Sequence, residues 1–193
     1  MTHRVHLASC AWLLVFAEAC TKAPPPSLEE NTPPLDTPVM AYLSMARALH
    51  HEASLEEESG SSVKALAAMD KLIAAPRPER AGAVPEVEEV LADAFARSTE
   101  LAIRVGDLER GAGYAKEGLK HAPTASYFRG HLLEVDGLLE EARAATLRDA
   151  GKSAEAEAAK ARAIEKLESA VRVQQSVIGS ALSPDGGSAG RTR

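Results

Sequence analysis

Beyond position 20 the sequence has no cysteine and no tryptophan; its two cysteines are Cys10 and Cys20, and its single tryptophan is Trp12. A domain that begins after residue 20 therefore has no disulfide and no thiolate nucleophile or metal ligand. Aromatic residues make up 4% of the chain, too few for the stacking platforms that single-stranded nucleic acids require. Those after Cys20 are Tyr42, Phe95, Tyr114, Tyr127 and Phe128, spaced like core residues. The formal net charge is −6, and it stays there if residues 1–19 are removed, because Arg4 and Glu18 leave together. A mildly acidic chain is a poor match for nucleic acid or for an anionic membrane surface.

Catalytic motifs are missing as well. The sequence contains no GxSxG, no HExxH, no P-loop and no GxGxxG following a strand, so neither nucleophilic nor metal-assisted hydrolysis has a local signature. His50 and His51 are adjacent and on a helix point about 100° apart, so they cannot share an ion. His121 and His131 have no second ligand at i+4. The expectation is a non-enzyme without metal or cofactor. A small-ligand or metal-binding helical bundle is the alternative.

What is present starts at the N-terminus. "MTHRVHLASCAWLLVFAEA" has a short cationic start and an apolar run from Leu7 to Ala17. That run is shorter than the roughly 20 residues a spanning helix needs. It has the order of a secretory signal, with Ala17 and Ala19 as an Ala-x-Ala cleavage site directly before Cys20. Residues 1–19 are thus read as a signal peptide. The following "TKAPPPSLEENTPPLDTP" favours extended polyproline II, the property of a spacer.

A cysteine at the first mature position resembles the bacterial lipoprotein signal. The resemblance implies that Cys20 is acylated, palmitate being a typical chain, and anchors the protein. It further implies a cell-envelope location, at the outer membrane facing the periplasm. Ala17, Glu18 and Ala19 depart from that family's preference for Leu at the first of these positions and small residues at the next two, most clearly at Glu18. Ordinary secretion with a free Cys20 remains the alternative. Leu7-Ala8-Ser9-Cys10 fits the pattern locally, but its apolar run lies on the wrong side.

Residues 20–37 are then the lipidated cysteine and tether, 38–182 the folded domain, and 183–193, "SPDGGSAGRTR", a disordered tail. The domain is rich in Ala, Glu, Leu, Arg and Lys and shows no period-two run of strand length, which predicts an all-α fold. Helices are expected from Thr37 (as N-cap), from Ser61 or Ser62, from Pro85, after Gly106-Asp107, after Thr124 (as cap) and from Ser153. The acidic stretch "HHEASLEEES" from His50 to Ser59 reads as a solvated helix face.

Gly60, Gly106 and Gly151 each follow a long amphipathic segment and precede an alanine-rich one, 46 and 45 residues apart. Five residues after each comes a small residue: Ala65, Gly111, Ala156. Three helix–turn–helix hairpins of about 45 residues are predicted. Gly111 and Gly118 each cost about 1 kcal/mol of helix propensity, and their presence predicts a close-packed neighbouring helix.

"GDLERGAGYAKEGLKHAP", Gly106 to Pro123, resembles the tetratricopeptide repeat, with a bulky Phe95 in the preceding helix. The period exceeds the 34 residues of that family, and Ser98 and Thr99 stand where it prefers Leu and Gly. The resemblance implies a right-handed array whose first helices line a concave groove for a protein partner. It places His50 and Ser54, then Asp93, Arg97, Glu100 and Arg104, then Glu141 and Arg148 in that groove. A closed six-helix bundle is the alternative. The functional expectation is a membrane-anchored interaction or scaffolding module for an envelope protein.

Overall fold

The computed structural model describes residues 36–79, 82 and 84–183. The signal-like segment 1–19, Cys20, the tether up to residue 35 and the tail after Ser183 lie outside the described residues. Among the described residues six α-helices form: α1 Thr37–Glu58, α2 Ser62–Ala74, α3 Pro85–Val105, α4 Leu108–His121, α5 Tyr127–Asp149 and α6 Ser153–Leu182. No strand occurs among the described residues, so the fold is all-α.

The three spaced glycines are the hairpin turns. Gly60, Gly106 and Gly151 have φ of 82°, 79° and 75°, the left-handed region that glycine enters without a Cβ clash. In each turn the amide after the glycine reaches back five residues: Ser61 N to Glu56 O at 2.8 Å, Asp107 N to Ala102 O at 2.9 Å, Lys152 N to Leu147 O at 2.9 Å. This bond satisfies a carbonyl that the ending helix leaves free.

Two helix starts differ from expectation. Asp36 Oδ1 accepts from Val39 N at 3.2 Å, so Asp36 is the cap and Thr37 is already helical. Ser126, not Thr124, caps α5, its Oγ accepting from Arg129 N at 3.2 Å. Arg129 Nη1 donates to Ala122 O at 2.9 Å and holds the incoming loop, so the chain turns helical only at Tyr127.

Packing follows chain order. α3 packs on α1, α2, α4 and α5; α4 and α6 also pack on α5, and α1 on α2. Among the described residues α1 has no extensive packing against α5 or α6. The helices therefore form an open stack of three hairpins and do not close into a six-helix bundle.

Small residues set the spacing. A Cβ on Gly118 would lie 2.5 Å from Leu132 Cδ2 and 2.7 Å from Phe95 Cβ, and one on Gly111 would lie 2.8 Å from Leu139 Cδ1. The glycines let α4 approach both α3 and α5, as their alignment predicts. Gly137 does the same for α6, since a Cβ there would lie 2.7 Å from Leu167 Cγ. The counterparts of Gly111 in the other hairpins, Ala65 and Ala156, are buried. Of the five aromatics expected in the core, Tyr127 is largely exposed: it is the first residue of α5 and lies edge-on to Phe128 at 5.4 Å.

Candidate interaction face

The first helices of the hairpins, α1, α3 and α5, share one side of the stack, and the eight groove residues sit on them. On α1 the i, i+4, i+7 positions His50, Ser54 and Glu57 face Asp93, Arg97 and Arg104 on α3. His50 Nε2 lies 3.8 Å from Asp93 Oδ2. Arg97 donates to His50 O at 3.1 Å and to Ser54 Oγ at 3.0 Å, and it forms an ion pair with Glu57. Arg104 pairs with the other oxygen of Glu57.

Arg97 is therefore occupied. Its side chain is 20% exposed, and its donors go to α1 rather than outward. His50, Ser54 and Arg97 are an inter-hairpin joint, not free recognition groups. The sequence does not single out Glu57, because it stands in a run of four nearby carboxylates that reads as a solvated face. Glu52 and Glu56 do form ion pairs with exposed lysines, Lys71 and Lys64.

Burial raises the Glu57 carboxyl, but hydrogen bonds and charge from Arg97 and Arg104 outweigh it and hold it below the usual range. Burial, reinforced by Arg97, pushes His50 down against the pull of Asp93. His50 therefore favours the neutral ring. His131 behaves oppositely: its Nε2 lies 3.4 Å from Glu100 Oε1, and that hydrogen bond raises it despite burial. His131 Nδ1 is buried without a partner.

Similar joints recur elsewhere in the stack. Tyr114 donates to Asp70, tying α4 to α2, and burial with that bond raises the phenol. His121 Nδ1 lies 2.6 Å from Glu88 Oε2 and its ring stacks on Phe95 at 5.4 Å. Glu140 sits between Arg143 and Arg162, both at 2.8 Å.

Outside the joints the same side carries troughs. One of about 520 Å³ crosses α1, α3 and α5, with Leu43, Ala46, Val90 and Phe128 along it and Glu86, Glu89 and Arg47 at its rim. A second, of about 400 Å³, lies between α3 and α5 and includes Glu100, Arg104, Glu141 and the apolar Ile103 and Leu138. Glu141 and Arg148 border a third against α6, of about 280 Å³. Asp93 thus lines the first trough, Glu100 and Arg104 the second, Glu141 the second and third, and Arg148 the third. Leu43, Val90 and Phe128 are the apolar residues that the charge-based mapping does not name. All three are half-buried, because the shallow packing of α1, α3 and α5 leaves them partly uncovered.

No described helix is long and apolar enough to cross a membrane. Comparison with protein-family models, with curated proteins and with solved structures finds no match.

Proposed function

We propose that this protein is a cell-envelope lipoprotein, anchored through Cys20, whose three-hairpin domain is a docking module for an envelope protein. The signal-like leader, the cysteine after Ala-x-Ala and the proline-rich spacer in the sequence support the anchor. The tetratricopeptide-like hairpin supports the docking role. The observation that carries the docking role is the trough across α1, α3 and α5, which combines an apolar lining with charged rims. Such a surface fits one side of a partner helix or an extended segment, with apolar side chains anchoring it and charges setting its register.

The anchor is tested by the intact mass of the chain extracted from membranes; an unacylated chain, or one retaining residues 1–19, sinks it. Docking is tested with a photo-crosslinker at Val90 and another at Lys116, which is exposed on α4. A discrete adduct from Val90 that Phe128→Glu removes, with none from Lys116, supports the trough. Equal adducts from the two positions overturn it.

A further inference from the structure

The outer face of α6 carries a seam of apolar side chains. Ile164, Val171, Ile178 and Leu182 are 50%, 50%, 58% and 79% exposed, although β-branched and leucyl side chains of this size are ordinarily covered. They recur at intervals of seven, seven and four, a single stripe on a helix. The seam runs about 27 Å at 1.5 Å per residue.

The stack itself says what kind of surface this is. Ile73 of α2 and Leu119 of α4 occupy the equivalent place to Ile164, being 46 and 45 residues apart along the chain. Ile73 and Leu119 pack into cores to which the following first helices α3 and α5 contribute. Among the described residues the extensive packing of α6 is against α5, so the face that α2 and α4 use to receive the next helix is open on α6. The helix is also long, 30 residues against 13 in α2 and 14 in α4. Gly130 lies against Gln174, so α5, which begins at Tyr127, stops short of Ile178 and Leu182.

We propose that the α6 seam is covered by the α6 seam of a second copy of this chain, running antiparallel. Three of the four are symmetric about Val171: a two-fold axis there lays Ile164 on Ile178 of the other copy and Val171 on its counterpart, and puts Leu182 beside the exposed Lys160, whose methylene stem can cover it. Such an interface is isologous and closes at two chains. Charge agrees. Glu168 and Arg172, both exposed and 3.6 Å apart within one helix, flank Val171 on the same side of the seam. The two-fold brings Glu168 of one copy within reach of Arg172 of the other, twice. A head-to-tail contact with α1 has less to offer, since its large exposed apolar residues are Met40 and Leu55 alone, fifteen residues apart.

The test uses the full chain in its membrane under mild oxidation, with the unmodified chain as background for Cys10 and Cys20. Val171→Cys is expected to give at least tenfold more disulfide-linked dimer than Ser44→Cys, an exposed position on α1. Ile164→Cys is expected to stay at background alone and to cross-link when mixed with Ile178→Cys. In sedimentation of the detergent-extracted chain, Val171→Glu weakens dimerisation at least tenfold with helicity unchanged. Dimer no greater from Val171→Cys than from Ser44→Cys, self-linking of Ile164→Cys, a ladder of multimers, or unaltered sedimentation of Val171→Glu each overturns the proposal. It does not depend on the trough.

Discussion

Glu57 of α1 is gripped by Arg97 and Arg104 of α3, 40 and 47 residues further along the chain. Both oxygens of one carboxylate are used, each by a different guanidinium. Charge-assisted bonds of this kind are stronger than neutral ones, and the arrangement joins the first hairpin to the second.

Glu57→Gln therefore destabilises the protein by about 2 kcal/mol, the range for losing hydrogen bonds to a charged group. The loss has a pH signature. A carboxyl held below its unfolded value contributes stability above that value and loses it as pH falls through the folded one. The wild-type advantage over Glu57→Gln, read from urea unfolding, is full at pH 7 and shrinks below about pH 4.5. An advantage that is constant down to pH 3 contradicts it.

His50 and His131 pull stability in opposite directions. His50 is shifted down, so its contribution is present above about pH 6.5 and is lost as pH falls. His131 is shifted up, so its contribution is present below about pH 6.5 and is lost as pH rises. His50→Gln should flatten the acid side of a melting-temperature profile between pH 5 and 8, and His131→Gln the alkaline side. Profiles of both variants parallel to wild type would refute the assignment.

Two glycines in α4 should respond oppositely to one methyl. Gly118→Ala meets Leu132 and Phe95 and destabilises by about 1–3 kcal/mol through overpacking, despite better helix propensity. Gly113→Ala meets nothing within 4 Å and stabilises by up to about 1 kcal/mol. Thermal unfolding of both variants checks the pair; a rise in both shows that α4 does not pack against α3 and α5.

Ser98 is fully buried in α3 and its hydroxyl has no partner, whereas Thr99 Oγ1 donates to Phe95 O at 2.9 Å. Removing an unpaired buried hydroxyl recovers about 1 kcal/mol, which raises the melting temperature by about 2–4 °C in a domain of this size. Ser98→Ala gives that rise, and Thr99→Ala does not. A fall in Ser98→Ala overturns the reading.

The hairpins were legible because glycine at a left-handed turn is a local requirement, visible at Gly60, Gly106 and Gly151 without knowledge of the fold. The same holds for Gly111 and Gly118, whose cost to an isolated helix already points to a close neighbour. Glu57 was not legible: Glu56, Glu57 and Glu58 share the same local pattern, and what distinguishes the middle one is a pair of cations about forty residues away and more. Open stack versus closed bundle was likewise undecided, since amphipathic helices of this kind suit both and only the pattern of packing between distant helices, above all between α1 and α5 or α6, separates them. Arg97 was expected as a groove residue; its neighbours on α1 consume its donors, and spacing within α3 carries no information about that.

Since each described hairpin leans mainly on the adjacent one, damage has no broad route round the molecule. Helix-packing energy in such a chain adds up neighbour by neighbour, so melting at one extremity leaves distant turns standing. Hydrogen exchange would then report a gradient: slow amides in α3, gripped from four sides, and quick ones toward the far end of α6. A lesion near the first turn would be felt as slackness there long before the whole molecule came apart.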